Sequence, residues 1–356
     1  MAKEIIIVTI ALGNDGAERV LTNLTNQWIS QGHKVTVIQT GADNYGCSYA
    51  LSEQAEIINI HAKSKIKPLR YLEEISELVK ILRKRPNAVV VSFIVSSIFI
   101  LAVSSFFVKN KIIVSERNNP KECPAGKLQQ KLRDWSFCAA DVCVFQTEDA
   151  KAMFPRAAQN KGVVIPNPIN TSLPGKVDQE QRSKTILTAC RLHPQKNLPM
   201  LIEAFHKLNR EHPEYELVIY GQGKERDALE QMIRERNLEE CVRMPGFASD
   251  IHDKMRTAAM FVSSSDYEGI SNSMLEALAM GVPTVVTDCP VGGARLMIKD
   301  GVNGLLVPVG DAEAMYRGMK KVVEDPVFAE KIAAEAYKVR EQYPIEVVSR
   351  MWTELM

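Results

Sequence analysis

Short apolar segments alternate with amphipathic segments of helical periodicity along most of this chain of 356 residues. The apolar segments are rich in Val and Ile and are about as long as single buried strands, which predicts strands joined by helices. Strand–helix–strand units of this kind are right-handed and form mostly parallel sheets, so the predicted fold class is α/β. The strands predicted in the first half are 4–10, 34–39, 56–60, 88–93, 111–115, 142–146 and 163–165.

The alternation stops between residues 166 and 182, where Pro166, Pro168, Pro174 and Gly175 lie among polar residues. This composition is typical of a linker, and the alternation resumes from residue 185. We therefore expect two doubly wound α/β domains, with ligands bound in a cleft outside the carboxyl ends of their strands. The predicted bounds are 1–168 for the first domain, 169–183 for the linker, 184–340 for the second domain and 341–356 for a C-terminal helix that packs back on the first.

One segment, residues 88–108, carries no charge over 21 residues and is nominally long enough to span a bilayer. It contains five serines, and it divides into a strand at 88–93 and a helix at 95–107, followed by a strand at 111–115. Buried strand–helix–strand segments of parallel sheets are apolar nearly throughout. We therefore expect a buried part of the first domain here and no transmembrane helix.

The charges of the whole chain almost cancel, with 44 Lys and Arg against 43 Asp and Glu. This balance argues against a nucleic-acid partner, because dominant phosphate binding requires a strongly basic domain. Locally, residues 61–85 hold eight Lys and Arg against three Glu. Two interpretations of this basic segment stay open: a solvated helix face, or a patch facing anionic lipid headgroups, where each cation contributes ~1 kcal/mol.

The seven cysteines are scattered without a Cys-x-x-Cys pair, which favours neither a zinc site nor a disulfide framework. Lys3 and Glu4 lead straight into the first apolar segment, so the pattern of a signal peptide is absent. We expect a reduced, cytoplasmic protein.

The common phosphate-binding fingerprints are incomplete in this sequence. Gly221-x-Gly223 follows a predicted strand, but Arg226 stands where a dinucleotide fingerprint has its third glycine. The turn from Gly13 to Gly16 also departs from that pattern, and the sequence has no P-loop motif. A nicotinamide-dependent oxidoreductase or a P-loop NTPase is therefore poorly supported, although glycine turns after strands still let backbone N–H groups approach an anion.

The most informative segment runs from Ser263 to Glu276. A strand is predicted to end near Ser263, a polar loop with Glu268 follows, and a helix is predicted to begin near Ser273. Backbone amides at a helix start attract a diphosphate, and the two glutamates suit the hydroxyl groups of a sugar. An alternative stays open, because Ser273-x-x-Glu276 is also a capping box, in which Glu276 only caps its own helix.

A second cluster supplies positive charge. Arg191 and Lys196 follow the predicted strand 185–189 and lie at its carboxyl end. A guanidinium fork and an ammonium group together can hold a diphosphate, and a solvated surface role is the alternative. His193 in the same loop is expected to be solvated, and the strand-end turn Gly246-Phe247 offers backbone to a planar base.

Taken in order along the chain, these motifs resemble the family 4 glycosyltransferases of the GT-B fold. The matching motifs are Arg191 with Lys196-Asn197, Gly221-x-Gly223, Pro245-Gly246-Phe247, Glu268-x7-Glu276 and Asp300-Gly-Val-Asn-Gly304. Gly16-Ala-Glu-Arg-Val20 and Ser115-Glu-Arg-Asn-Asn-Pro120 are similar to bacterial members that elongate lipid-linked glycans. The resemblance covers essentially the whole chain. It implies two Rossmann-like domains facing each other across a cleft, the first for the acceptor and the second for a nucleotide-sugar.

The resemblance implies a role for each matched residue. Arg191 and Lys196 would hold the donor diphosphate and neutralise the leaving group, and Glu268 would contact the donor sugar; these three are the expected catalytic residues. Glu276 would bind the ribose hydroxyls. The other expected substrate-binding residues are Gly269, Ile270, Ser271 and Asn272 through their amides, Gly246 and Phe247 beside the base, and Gly13, Gly16 and Arg117 from the first domain.

Two positions depart from the family's pattern. Arg117 stands where many members have a histidine, so no catalytic base is assigned there. The loop after Asp288 begins Cys-Pro-Val-Gly where Gly-Pro-x-Glu is commoner, so the sugar preference stays open. The sequence contains no Asp-x-Asp, and the two cations of the second cluster would replace a metal ion. We therefore expect no metal or other cofactor, the nucleotide-sugar being a substrate.

The function implied is a retaining transfer of a hexosyl or N-acetylhexosaminyl group from a UDP-sugar. The acceptor would be a polyprenyl-diphosphate-linked saccharide for a cell-surface polysaccharide, which implies peripheral contact with an anionic membrane at its inner face. Two alternatives are a non-catalytic subunit of the same fold that binds a nucleotide-sugar or glycan, and a sugar-nucleotide epimerase.

Overall fold

The chain forms two compact units in a computed structural model that describes residues 2–13, 16–41, 49–170 and 172–356. The first unit comprises Met1–Pro168 and Pro344–Met356, and the second comprises Ile169–Tyr343. The last segment of the chain therefore belongs to the unit in which the chain begins. Thr171, within the predicted linker, lies outside the described residues.

The first unit alternates strands and helices as the sequence pattern predicts. Its strands are β1 (Glu4–Thr9), β2 (Lys34–Gln39), β3 (Glu56–Asn59), β4 (Val89–Ser92), β5 (Ile112–Ser115), β6 (Val142–Phe145) and β7 (Gly162–Val164). Its helices, numbered along the whole chain, are α1 (Gly16–Ser30), α2 (Lys67–Arg83), α3 (Val95–Ser104), α4 (Lys127–Ala139), α5 (Glu148–Ala152), α6 (Arg156–Gln159) and α15 (Ile345–Glu354). A 3-10 turn, Ser105–Phe107, follows α3 directly.

All seven strands of the first unit pair in parallel, in the order β3-β2-β1-β4-β5-β6-β7. Central strands are buried on both faces, as Ile5, Ile6 and Ile7 of β1 illustrate. A strand covered by helices on both faces has to be apolar at successive positions, which explains its continuous apolar sequence. The order reverses between β1 and β4, so the loops after these two strands open at a topological switch point.

The uncharged segment 88–108 forms β4, α3 and the 3-10 turn. Its strand and most of α3 are buried within the first unit. In the part of the chain that the structure describes, none of the helices is both long and apolar enough to span a membrane.

The C-terminal helix α15 packs on the first unit through Trp352. The Trp352 ring meets the ring of Trp28 on α1 edge to face, with centroids 6.3 Å apart, and both side chains are fully buried. The Lys3 ammonium donates to the carbonyl oxygens of Thr353 at 2.7 Å and Met356 at 2.6 Å. The start and the end of the chain are thus joined by packing and by charge-assisted hydrogen bonds.

The second unit repeats the same design with a smaller sheet. Its strands are β8 (Thr185–Ala189), β9 (Glu216–Tyr220), β10 (Val242–Gly246), β11 (Met260–Ser263), β12 (Thr284–Thr287) and β13 (Leu305–Val307). Its helices are α7 (Leu198–Glu211), α8 (Arg226–Glu235), α9 (Ile251–Arg256), α10 (Asn272–Ala279), α11 (Gly293–Met297), α12 (Ala312–Glu324), α13 (Pro326–Tyr337) and α14 (Val339–Gln342).

These strands also pair in parallel, in the order β10-β9-β8-β11-β12-β13. The order reverses between β8 and β11, which are hydrogen-bonded neighbours although three helices and two strands separate them in sequence. The predicted linker contributes to this unit, because the Arg182 guanidinium donates to the carbonyl oxygens of Gly281 at 2.6 Å and Ala258 at 3.2 Å.

Replacing Trp352 with alanine is predicted to destabilise the first unit by about 3–5 kcal/mol, because it removes a fully buried indole. All three tryptophans of the chain, Trp28, Trp135 and Trp352, lie in the first unit, so tryptophan fluorescence during urea unfolding follows that unit alone. Trp135→Ala is the matched control, since Trp135 is partly exposed, and it should cost about 1 kcal/mol or less. Equal losses in the two variants would contradict the packing role of α15.

Candidate active site

Two polar loops leave the second sheet at its switch point. The loop that contains Arg191 and Lys196 follows β8, and the loop that contains Glu268 follows β11. Because β8 and β11 are parallel neighbours, their carboxyl ends lie at the same edge of the sheet. This is where open α/β sheets bind ligands.

An ion pair joins the two loops. The Lys196 ammonium donates to Glu268 Oε1, and the two side chains are only 15% and 16% exposed. The Ser265 hydroxyl donates to the same carboxylate oxygen at 2.9 Å, and the side-chain Nε2 of Gln195 donates to Glu268 Oε2 at 3.4 Å. The structure therefore brings together Lys196 and Glu268, two of the residues that the sequence predicts for one site.

Further hydrogen bonds hold the loops against each other. Asn197 has a left-handed backbone, with φ of 42°, and its Nδ2 donates to Asp266 Oδ1 at 2.7 Å. The Ser264 hydroxyl donates to the Lys196 carbonyl oxygen at 2.8 Å, and the Asp266 amide donates to the Gln195 carbonyl oxygen at 2.9 Å. The positions of Lys196 and Glu268 are thus set by the protein itself, which is the preorganisation that electrostatic catalysis requires.

Electrostatics keep the Lys196 ammonium charged. Burial is the largest single influence and disfavours its charged form, but the charge of Glu268, the neighbouring Cys190 and the hydrogen bond to Glu268 together raise the pKa of Lys196 above its usual value. Burial also raises the pKa of the neighbouring Cys190 thiol to about 11. At neutral pH the site therefore offers a fixed cation, and Cys190 stays a neutral thiol with little nucleophilic character.

Helix α10 does not begin with the capping box of Ser273 and Glu276, so that interpretation is wrong. The N-cap is Ser271, whose hydroxyl accepts from the Met274 amide at 3.4 Å. The Ser273 hydroxyl instead donates to the Ala189 carbonyl oxygen at 2.8 Å and so ties α10 to the end of β8. The Glu276 carboxylate lies 3.2 Å from His252 Nε2 on α9, and with Ser271 as the N-cap Glu276 does not occupy the N3 position of a capping box.

A pocket lies beside Glu268 at the start of α10. It is a small open hollow, with about 10 Å³ available to the centres of water-sized groups. One wall is formed by the loop after β12, where a Cβ added to Gly293 would lie 1.9 Å from the Gly269 carbonyl oxygen. The lining residues are Ser263, Glu268, Gly269, Ser271, Met274, Val286, Thr287, Cys289 and Ala294.

The loop that carries Arg191 is supported from β9. The Leu192 amide donates to the Gln222 carbonyl oxygen at 2.9 Å, and a Cβ added to Gly221, with φ of 131°, would lie 1.8 Å from the Cys190 carbonyl oxygen. Arg191 itself is exposed. The sequence motif Gly221-x-Gly223 thus acts here through close backbone packing against the cationic loop.

His193 has a structural role in that loop. Its Nδ1 accepts from the Gln195 amide at 3.2 Å and caps the 3-10 turn Pro194–Lys196. Burial, followed by the positive charge of Lys224, lowers the pKa of His193. The side chain is therefore a neutral hydrogen-bond acceptor at neutral pH and only partly solvated.

Gly246 and Phe247 lie at the end of β10. Gly246 has φ of 89°, and its carbonyl oxygen accepts from the Gly221 amide at 2.9 Å. Phe247 is 74% exposed. An exposed aromatic ring beside the glycine loop is the kind of surface on which a base can stack.

The candidates of the first unit lie at the carboxyl ends of β1 and β5. Gly13 and Gly16 flank Asn14 and Asp15, which lie outside the described residues, so the predicted phosphate-covering loop is described only at its ends. A Cβ added to Gly13 would lie 2.9 Å from the Glu18 carboxylate, which places this glycine beside the first turn of α1.

Arg117 follows β5 and lies between two aromatic rings. Its guanidinium carbon is 4.3 Å from the centroid of Phe93 and 5.4 Å from that of Trp352, and Nη1 donates to Asn167 Oδ1 at 2.9 Å. Nε and Nη2 are buried without a hydrogen-bond partner among the described residues. Burial lowers the pKa of Arg117 to about 9.

The carboxyl group of the neighbouring Glu116 is hydrogen-bonded to backbone amides. Its Oε1 accepts from the amides of Arg117 at 2.9 Å and Asn118 at 3.0 Å. Burial raises the pKa of Glu116 to about 7, against the positive charge of Arg133. The carboxyl group is thus poised between its two protonation states at physiological pH.

Sequence reasoning missed the residues that support the candidates. The sequence gives a weak indication of Ser264 and Ser265, because these two serines follow the strand that precedes Glu268. It gives no indication of His252, Asn167 or Trp352, because each meets its partner only through the tertiary fold. The supporting residues are Gln195, Ser264, Ser265 and His252 in the second unit and Phe93, Asn167 and Trp352 in the first.

Two family profiles match consecutive parts of the chain. The profile "Glycosyltransferase Family 4" matches residues 14–173, and "Glycosyl transferases group 1" matches residues 171–339. The chain belongs to the family 4 glycosyltransferases. The resemblance noted in the sequence is thereby confirmed, and the protein is a glycosyltransferase.

Two bacterial proteins illustrate how this glycosyltransferase resembles its relatives. A protein of Haemophilus influenzae named "Uncharacterized glycosyltransferase" is 24% identical over 349 residues, which are 96% of this chain and 96% of that protein. A Campylobacter jejuni enzyme is 38% identical over 144 residues, which are 40% of this chain and 38% of that protein. It is named N-acetylgalactosamine-N,N'-diacetylbacillosaminyl-diphospho-undecaprenol 4-alpha-N-acetylgalactosaminyltransferase.

Solved structures establish the fold class. The structure of HepE from Anabaena in complex with UDP and glucose is similar to this chain with a TM-score of 0.86 and 17% identity. The similarity covers 99% of this chain and 98% of the HepE chain. The predicted GT-B fold is confirmed by this similarity.

Gly293→Ala is predicted to destabilise the second unit by about 1–3 kcal/mol, because the new methyl group would overlap the Gly269 carbonyl oxygen. Gly175→Ala is the matched control: an added Cβ there meets only the Tyr337 hydroxyl, at 3.8 Å. Thermal unfolding followed by circular dichroism should show a lower melting temperature for the first variant alone. A Gly293→Ala protein as stable as the control would refute the close approach of the two loops.

Glu116→Gln is predicted to change how stability depends on pH. Folded Glu116 holds its proton more tightly than the unfolded chain, so its contribution makes the free energy of unfolding fall as pH rises from about 4.5 to about 7. The glutamine variant should lose this part of the slope in urea unfolding followed by tryptophan fluorescence. Glu148→Gln, at an exposed position, should keep it. The same slope in both variants would show that Glu116 titrates normally.

Proposed function

We propose that this glycosyltransferase transfers a hexosyl or N-acetylhexosaminyl group from a UDP-sugar, with retention of anomeric configuration, in cell-surface polysaccharide biosynthesis. The observation that carries the proposal is the buried Lys196–Glu268 pair at the switch point of the second sheet, beside the start of α10. It combines a fixed cation for a diphosphate with a carboxylate for a sugar.

The donor diphosphate is assigned to Lys196 and Arg191. As the glycosidic bond breaks, the departing diphosphate gains negative charge, so a cation placed beforehand acts mainly in the transition state. The amides of residues 269–272 at the start of α10 add N–H donors for phosphate or sugar oxygens. These groups supply the charge that a metal ion provides in other designs, and the proposed reaction is independent of metal.

The remainder of the donor is assigned to the neighbouring groups. Glu276 binds the ribose hydroxyls, and the contact with His252 fixes the orientation of its carboxylate. Glu268 accepts from the hydroxyls of the sugar, and Gly246 and Phe247 border the base. Gly13, Gly16 and Arg117 bind substrate groups from the first unit.

The proposed chemistry needs no strong base from the protein. The acceptor hydroxyl oxygen bonds to the anomeric carbon while the bond from that carbon to the diphosphate oxygen breaks. The acceptor proton passes to an oxygen of the departing phosphate, and UDP leaves. The protein holds the two substrates and stabilises the charge of the leaving group.

A polyprenyl-diphosphate-linked saccharide is proposed as the acceptor. The support is the Campylobacter jejuni relative, whose name specifies a diphospho-undecaprenol acceptor. The proposal places this glycosyltransferase at the cytoplasmic face of a membrane as a peripheral protein. It calls for a surface that contacts lipid.

Lys196→Met and Glu268→Gln are each predicted to lower kcat by about 10²–10³-fold, because each removes a preorganised group that contacts the reacting donor. UDP release is measured with a panel of UDP-sugars and a polyprenyl-diphosphate-linked acceptor, with and without a chelator. The matched controls are Lys207→Met and Glu313→Gln, which break an exposed ion pair of 2.8 Å and should keep full turnover.

Three outcomes would contradict the proposal. Unchanged turnover in both site variants would contradict the assignment of Lys196 and Glu268 to the active site. Loss of activity with chelator would contradict the proposal that the reaction is independent of metal. Conversion of a UDP-sugar to its epimer without an acceptor would favour the epimerase alternative.

A further inference from the structure

An apolar stripe lies on the outer face of α4, opposite the face that packs into the first unit. Leu128, Leu132 and Trp135 are 71%, 41% and 40% exposed, and their spacing places them on one side of the helix. The buried side of the same helix carries Arg133, Ser136 and Phe137. The apolar stripe is thus a separate face of the helix that stays exposed.

The stripe continues onto the turn that follows α3. The ring of Phe106, which is 69% exposed, stacks on Trp135 with centroids 6.2 Å apart and an interplanar angle of 14°. Phe99 on α3 packs behind Trp135, at 6.1 Å between centroids, and so holds the indole in place. Phe106, Leu128, Leu132 and Trp135 therefore form one contiguous surface, named here the α4 patch.

Positive charge borders the α4 patch. Lys127 and Lys131 are exposed on α4 beside Leu128 and Leu132, and Lys109 is exposed shortly after Phe106. The carboxylate that α4 carries, Asp134, is paired with Arg133 at 2.7 Å. The surface thus presents aromatic and aliphatic side chains with exposed lysines at their edge.

Half of the cations in the basic segment 61–85 are engaged within the protein. Three of its cations are paired with carboxylates: Arg70 with Glu74, Lys80 with Glu77, and Arg85 with Glu56. A fourth, Arg83, donates to the Phe107 carbonyl oxygen at 3.2 Å. The number of cations in that segment therefore overstates what it offers to a lipid surface.

We propose that the α4 patch docks on the surface of an anionic bilayer. Trp and Phe favour the interface between headgroups and acyl chains, and Leu128 and Leu132 bury apolar area there. Lys127 and Lys131 then meet the lipid phosphates, which attract cations near the surface. A second copy of the chain fits less well, because a symmetric contact would bring the lysines of two copies together. This inference deepens the proposed function, on which it rests for its lipid-linked acceptor.

The test measures binding of the full chain to vesicles in the absence of any sugar substrate. Sedimentation with phosphatidylcholine vesicles that contain phosphatidylglycerol should recover the protein, and pure phosphatidylcholine vesicles should recover much less. Leu128→Gln with Trp135→Gln, and separately Lys127→Gln with Lys131→Gln, should each weaken binding by about tenfold or more. Val327→Gln with Val347→Gln and Lys331→Gln with Lys338→Gln are the matched controls at other exposed positions.

A spectroscopic readout locates the contact. Trp28 and Trp352 are fully buried, so a blue shift of tryptophan emission on adding anionic vesicles must come from Trp135 and should vanish in Trp135→Gln. Melting temperatures check that each variant is folded. Binding of the patch variants at the strength of the controls would overturn the proposal. A wild-type dimer that the patch variants dissociate would overturn it too, because the patch would then be an interface between copies.

These measurements distinguish failure of the docking surface from failure of the proposed function. Absence of UDP release with intact vesicle binding would overturn the proposed function and leave the docking surface standing. Normal turnover of the patch variants on a short-chain acceptor in solution, with weak vesicle binding, is the result expected if both hold.

Discussion

The reversal of strand order between β8 and β11 is the constraint on which the candidate site depends. Because two chain segments distant in sequence become neighbours there, the loop with Lys196 and the loop with Glu268 leave the same edge of the sheet. No helix closes that edge between parallel neighbours at a switch point, so backbone amides and charged side chains are free to face a ligand. The first unit has the same reversal between β1 and β4, and its candidates, Gly13 and Arg117, also follow strands at the carboxyl edge.

The Lys196–Glu268 pair is better explained by function than by stability. Taking two charges out of water costs free energy that their attraction repays only partly, and an apolar pair of similar volume would often be as stable. Here Ser265 and Gln195 add hydrogen bonds to the carboxylate, and Asn197 with Asp266 fixes the loops on either side. The arrangement keeps a cation and a carboxylate partly desolvated and rigid, which under the proposed function makes each more effective toward a charged substrate.

Much of the second unit could be predicted from local sequence because its buried strands are short β-branched runs bounded by polar residues. The predicted strand 185–189 coincides with β8, and the strand predicted to end near Ser263 coincides with the end of β11. The start of α10 could not be predicted, since both Ser271 and Ser273 are good caps and the choice is made by the tertiary hydrogen bond of Ser273 to Ala189. Helices α9 and α11 and strand β13 are too short for periodicity to reveal. The α4 patch was hidden as well, because an apolar residue at helical spacing is ordinarily a core residue.

The surroundings of Arg117 show why long-range assembly limits such predictions. Its guanidinium is held by Phe93 after β4, by Asn167 at the end of the first unit's main segment, and by Trp352 on α15. The last of these reaches the first unit only because the chain returns from the second after Tyr343, whose carbonyl oxygen accepts from the Ile169 amide at 2.8 Å. Aromatic faces attract a cation without neutralising it, whereas a carboxylate partner would do so. Because Glu116 is turned to the backbone amides, the positive charge of Arg117 lies mainly against aromatic faces.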